Sequence, residues 1–196
     1  MLYTCFYKSP LGSITIASDG TALTGLWFDG QKYFAATLSA EHQERELPIF
    51  ELTKEGLAET AAAKTLPVFD EAVRGLDIYF GGRRPNFTPP LNLEGTAFRK
   101  EVWQLLLQIP YGQTTTYSEL AAQLAAHRGL KRMSAQAVGG AVGHNPISII
   151  VPCHRVVGTG GSLTGYAGGL AKKLALLKLE GIDTAKFTMP AKGTAL

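Results

Sequence analysis

Pro152-Cys153-His154-Arg155-Val156 sets a thiol beside an imidazole, a pairing that can do nucleophilic chemistry. A thiolate attacks carbon readily and a thiol barely does. A base or a positive charge must therefore bring the cysteine pKa down from its free value of about 8.5. The competing reading is a small buried apolar side chain, the common fate of a lone cysteine, and Cys5 fits it. With two cysteines and four histidines, and no CxxC or HExxH spacing, neither a disulfide framework nor a zinc site is expected.

The elements around this motif must position it. Ile147 to Val151 is an apolar run that reads as a buried strand, with Pro152 ending it. Asn145-Pro146 breaks the segment before it, and Thr159-Gly160-Gly161-Ser162 reads as a hairpin tip. Upstream, Phe98, Val102, Leu105, Leu106 and Ile109 form an amphipathic stripe ended by Pro110-Tyr111-Gly112. Thr116-Tyr117-Ser118-Glu119 is a capping-box pattern opening a second helix with Leu120 and Leu124. Ser134 caps a third, to about Val142, and a last helix carries Leu170, Leu174 and Leu177, with Gly181 at its end. Three helices and a hairpin predict a winged helix-turn-helix.

The third helix is chemically bare. Ala135, Val138 and Val142 fit the core, leaving Gln136, Gly139, Gly140 and Gly143 on the other side. A mid-helix glycine costs about 0.5–1 kcal/mol relative to alanine, so several together need a reason. One is tight packing on a neighbouring helix. Another is close approach to a narrow groove with little base reading.

In the first half, Gly12 to Ser18 alternates apolar and polar residues, Asp19-Gly20 supplies a turn, and Leu23 to Phe28 reads as the returning strand. Pro67 to Phe80 has helical spacing and stops at Gly81-Gly82. Proline-rich Arg83 to Glu94 reads as an extended interdomain linker. The expected organisation is an α/β N-terminal domain over 1–88, a small antiparallel sheet plus a helix, followed by a mostly α C-terminal domain over 89–196.

Charge follows the same division. The chain has 196 residues and a formal net charge of +3, but residues 1–95 carry net −4 and residues 96–196 net +7. A basic C-terminal part points to a polyanionic partner. No apolar run is long enough for a membrane span and no secretory leader is present, so a soluble cytoplasmic protein is expected.

From Phe98 to Gly181 the sequence strongly resembles the methylated-DNA–protein-cysteine methyltransferases, the O6-alkylguanine-DNA alkyltransferases, and more loosely so over the first half. Asn145-Pro146, Pro152 to Val156, Gly165-Tyr166-Ala167-Gly168-Gly169 and Leu179-Glu180-Gly181 occur in that family's order and spacing. The resemblance implies a ribonuclease H-like N-terminal domain. It also implies repair of O6-alkylguanine, and less efficiently of O4-alkylthymine, in double-stranded DNA. The nucleotide is flipped out, and its alkyl group passes irreversibly and once to Cys153.

By the same resemblance, His154 is the base acting through a water, with Glu180 orienting it. Tyr117 crowds a phosphate and protonates the leaving guanine, and Asn145 stabilises the turn before the active-site strand. Gln136, Ala137 and Gly140 face DNA, while Val156, Tyr166 and Ala167 line the guanine pocket. No cofactor, metal or methyl donor is implied, and the protein is expected to act as a monomer. Arg155 reads as a structural ion-pair partner.

One departure stands out: family members commonly place arginine where this chain has Gln136, which lacks the charge and stacking plane of a guanidinium. Three rival readings fit the residues less well. A non-enzymatic damage binder would lack Cys153. A cysteine hydrolase leaves the basic half without a role, and a transcriptional regulator lacks a visible effector domain.

Overall fold

In a computed structural model of the chain, residues 1–45, 50–53, 56–59 and 66–189 are described. The first half is a four-stranded sheet of β1 (Leu2–Ser9), β2 (Gly12–Ser18), β3 (Leu23–Phe28) and β4 (His42–Glu44), in the order β3-β2-β1-β4. The β2–β3 hairpin forms as its alternation and Asp19-Gly20 turn predict, and β1 pairs antiparallel with β2 along its whole length. The sheet is not purely antiparallel, because β4 runs parallel to β1. Two further strands, β5 (Phe50–Thr53) and β6 (Gly56–Glu59), pair antiparallel with each other.

Helix α1 spans Pro67–Phe80 and buries Val68, Phe69, Ala72, Leu76 and Tyr79. Pro67 sits in its first turn, where a missing N–H costs nothing. The alternation in β2 is that of a half-buried strand, yet every residue from Ile14 to Ser18 is covered, and so is all of β3. Both faces of this part of the sheet are therefore occupied.

The second half contains α2 (Ala97–Leu107), β7 (Thr115–Thr116), α3 (Tyr117–His127), α4 (Ala135–Gly143), β8 (Val156–Val157) and α5 (Leu170–Leu179). The caps read from sequence are present. Thr116 and Glu119 form the reciprocal capping box of α3, and Ser134 Oγ accepts from Ala137 N to start α4. Gly143, expected on the open side of α4, is buried. β8 pairs in parallel with β7. The expected hairpin tip at Thr159–Ser162 is a tight loop closed by Gly158 N to Ser162 O at 2.7 Å, with both Gly160 and Gly161 left-handed.

Two further expectations change. Ile147 to Val151 is a coiled turn, not a strand: Val151 N donates to Ile147 O at 3.1 Å, and Ile149 has φ +70°. Nor is the linker free. Leu23 N donates to Pro90 O and Asn92 N to Leu23 O, both at 2.8 Å. The next part of the same β3 edge takes the turn: Leu26 N donates to Pro146 O and Ser148 N to Leu26 O, again at 2.8 Å. An unpaired strand edge is a row of unsatisfied donors and acceptors, and here linker and turn satisfy it in succession. One apolar core, from Cys5 and Phe69 through Trp103 and Val138 to Val151 and Leu176, runs across both halves.

Candidate active site

Cys153 opens a single 3-10 turn, Cys153–Arg155, directly after the turn held by β3. Asn145, just beyond α4, organises that turn with one side chain. Its Oδ1 accepts from Ile147 N at 3.0 Å. Its Nδ2 lies 2.8 Å from Val151 O, 3.3 Å from Ile147 O and 3.1 Å from Cys153 Sγ. The tight curl explains why no strand forms: the chain must return under Asn145 for the sulfur to meet that amide.

Next to the thiol, His154 is fully buried and its Nε2 lies 2.7 Å from Glu180 Oε1. A carboxylate accepts only, so Nε2 carries the proton, and the neutral ring then has its lone pair at Nδ1. Among the described residues no side chain or backbone group bonds Nδ1. Glu180 is held by more than His154. Arg155 Nε donates to its Oε2 at 2.8 Å and Nη2 to Oε1 at 3.0 Å, Gly112 N donates to Oε2 at 3.0 Å, and Tyr79 Oη donates to Oε1 at 2.8 Å. Gly112 has φ +76°, the left-handed conformation in which glycine is unstrained.

These contacts set the charges. Burial alone would push the Glu180 carboxyl up, but the bonds from His154 and Arg155 outweigh it and hold it at about 2. Burial pushes His154 down, opposed by the bond and charge of Glu180, which favours the uncharged imidazole. Burial also pushes the Cys153 thiol up, against the Asn145 bond, the Lys173 charge and nearby backbone N–H groups.

Lys173 is completely buried on α5, and among the described residues no carboxylate pairs with it. Its ammonium donates to Val156 O at 2.6 Å, Thr164 O at 2.7 Å and Gly165 O at 3.2 Å. Burial lowers it to about 8, with the cysteine opposing, so it remains largely charged at neutral pH. The sequence reading overlooked Lys173 and Tyr79. Both signals were there: Lys173 lies on the α5 face that carries Leu176, Leu177 and Glu180, and Tyr79 continues the buried stripe Ala72, Leu76.

The other expected residues divide into two groups. Tyr117, half-buried at the start of α3, points its hydroxyl inward to Thr164 O and Gly165 O, both at 3.1 Å. Tyr166 is buried, with Cys153 and Ser148 near its hydroxyl. Ala167 O accepts from Lys32 N at 2.9 Å, and Val156 places its carbonyl on Lys173. Cys153, His154, Glu180, Asn145, Tyr117, Tyr166, Ala167 and Val156 thus form one neighbourhood. Gln136, Ala137 and Gly140 lie apart from it on the exposed side of α4, where nothing stands within 4 Å of a Cβ placed on Gly140. Near that helix Lys131 and Arg132 are exposed, while Arg128 is paired with Glu101 at 2.8 Å.

Cys5 is buried in the first-half core, with its thiol pushed up to about 12 by burial and then by Asp70, as befits an inert side chain. Among the described residues no helix is long and apolar enough to cross a membrane.

Residues 1–93 match the family model described as 6-O-methylguanine DNA methyltransferase, ribonuclease-like domain, and residues 97–182 the one described as 6-O-methylguanine DNA methyltransferase, DNA binding domain. The chain is 40% identical over 182 residues to a methylated-DNA–protein-cysteine methyltransferase of Haemophilus influenzae, covering 92% of this chain and 87% of that one. To the protein of the same name from Mycobacterium bovis it is 42% identical over 183 residues, covering 92% and 93%. Among solved structures it is similar to Mycobacterium tuberculosis OGT in complex with DNA, at 38% identity and TM-score 0.71, covering 96% of each chain.

Proposed function

This chain belongs to the 6-O-methylguanine DNA methyltransferase family, and we propose that Cys153 is the residue onto which it takes the alkyl group. The protein is a methylated-DNA–protein-cysteine methyltransferase that binds DNA and repairs O6-alkylguanine by direct transfer. Supporting the assignment of Cys153 above all is the buried His154–Glu180 pair at 2.7 Å, which leaves the Nδ1 lone pair to accept a proton on the residue next to the thiol.

The cysteine proton passes through a water to His154 Nδ1, and Glu180 balances the resulting imidazolium. Asn145 Nδ2 and the Lys173 ammonium favour the thiolate. The sulfur pair attacks the alkyl carbon in line, a C–S bond forms, the C–O6 bond breaks, and its electron pair passes to guanine. Tyr117 supplies the proton that guanine takes up. Water does not cleave the carbon–sulfur bond of the thioether that remains, so each molecule acts once.

A base within the duplex exposes its O6 poorly to a buried sulfur, so the nucleotide flips first, at a cost of about a few kcal/mol. The exposed side of α4, with Gln136, Ala137 and Gly140, enters the minor groove while Lys131 and Arg132 meet phosphates. Val156, Tyr166 and Ala167 receive the base. O4-alkylthymine offers the same ether carbon on a smaller ring and reacts more slowly. Residues 1–88 act as scaffold and 89–196 carry DNA binding and transfer. All the chemistry comes from one chain, so a cytoplasmic monomer suffices.

The test is intact mass after incubation with duplex DNA containing O6-methylguanine, followed by peptide mapping. One permanent methyl on Cys153, in step with DNA restored, is expected. Restored DNA with unmodified protein would defeat the proposal, and Cys153→Ser should bind the lesion and transfer nothing.

A further inference from the structure

We propose that Gln31 and Lys32, in the N-terminal half, hold the two walls of the acceptor site at a fixed separation and so decide how large an alkyl group it accepts. This rests on the alkyl-transfer reading above. Gln31 follows β3 and is buried, an unusual place for a glutamine. Its Oε1 accepts two bonds from different elements, from Phe28 N at 3.0 Å and from Ser148 Oγ at 3.2 Å. The adjacent Lys32 N donates to Ala167 O at 2.9 Å. Ser148 belongs to the turn that precedes Cys153, and Ala167 to the loop that follows it, next to Tyr166. Two consecutive residues thus tie together the segments on either side of the sulfur.

The clasp is itself held rigidly. Thr37 Oγ1 donates to Thr24 O at 3.1 Å, and the Tyr33 ring stacks on His144, at the end of α4, with centroids 3.9 Å apart. Tyr33 and Ala35 adopt left-handed φ of 60° and 54°, which residues with a Cβ keep only when surrounding contacts impose it. A fixed separation aligns a small alkyl carbon with the sulfur. A looser one gives up that alignment and admits a longer group.

The experiment compares single-turnover transfer from duplexes carrying O6-methylguanine and O6-n-butylguanine, with Tm followed in parallel. Gln31→Leu keeps the volume and removes the acceptor, whereas Ser148→Ala removes the donor. Each should slow methyl transfer by about tenfold and butyl transfer much less, raising the butyl-to-methyl ratio by about fivefold. The double variant should change the ratio no more than Gln31→Leu alone, because that substitution already removes the bond that Ser148→Ala removes, along with the one from Phe28 N. Gln31→Glu retains the acceptor oxygen and should keep the wild-type ratio. Equal slowing of both substrates, or single effects that multiply in the double variant, would overturn the proposal. If Gln31→Leu does not fold, Ser148→Ala carries the ratio test alone. Wild-type protein that transfers neither group would instead overturn the alkyl-transfer reading, and the clasp with it.

Discussion

Tyr79, near the end of α1, donates its hydroxyl proton to Glu180 Oε1 at 2.8 Å, across 101 residues of sequence. The carboxylate that orients His154 is therefore held from both halves: by Tyr79 from the first, by Arg155 and Gly112 from the second. The first half thus supplies one of the hydrogen bonds that fix this carboxylate. Tyr79→Phe removes one bond to a buried charged acceptor and should lower stability by about 1.5–3 kcal/mol. Thermal unfolding checks this. Transfer should persist at a reduced rate, since Arg155, His154 and Gly112 still hold Glu180.

The Glu180 carboxyl also sets an acid limit. Its pKa is depressed in the fold, from an ordinary 4.5 to about 2. The stabilisation is fully present above the unfolded value and is lost as pH falls through the folded one. The unfolded chain binds more protons between these values, so stability falls with decreasing pH there. Unfolding midpoints should drop from about pH 4.5 towards pH 2, and the Glu180→Gln variant should show a shallower drop. Equal slopes for the two proteins would refute this.

Lys173→Met keeps the stem and removes the ammonium. Three carbonyls then lose their donor, and the thiolate loses its nearby positive charge. The apparent pKa of Cys153, read from the pH dependence of iodoacetamide labelling, should rise, moving the labelling profile to higher pH. An unchanged profile would confine Lys173 to a packing role.

Gln136 is exposed on α4, so a longer cationic side chain fits there without rearrangement. Gln136→Arg should tighten DNA binding and speed transfer by several-fold. It should also steepen the salt dependence, adding about one phosphate contact to the slope. Rate and affinity both unchanged would mean that this position does not assist flipping.

Gly140 has open space where a Cβ would stand. Gly140→Ala should raise helix stability by about 0.5–1 kcal/mol, visible as a higher Tm. If α4 enters a narrow groove, the same methyl should weaken DNA binding. Gain of stability with unchanged affinity would argue against that docking face.

Local chemistry was legible wherever the signal is local. The Thr116–Glu119 capping box, the Ser134 cap and the bounds of α1 lie within a few residues of sequence and form as read. The strand expected over Ile147 to Val151 did not form, because apolar content cannot distinguish a strand from a buried turn when one distant edge and one asparagine take its hydrogen bonds. Lys173 hid for a related reason. A lysine in a helix reads as solvated surface until three carbonyls from other segments are found at its ammonium.

Residue identity and order suffice for the adjacent Cys153-His154 pair, the charge imbalance between the halves and the glycines of α4. What surrounds the thiol depends on the folded chain. Glu180, Tyr79, Arg155, Gly112 and Lys173 act through hydrogen bonds and charges that operate over a few ångströms, and the chain brings them within that range only by folding its two halves around one core.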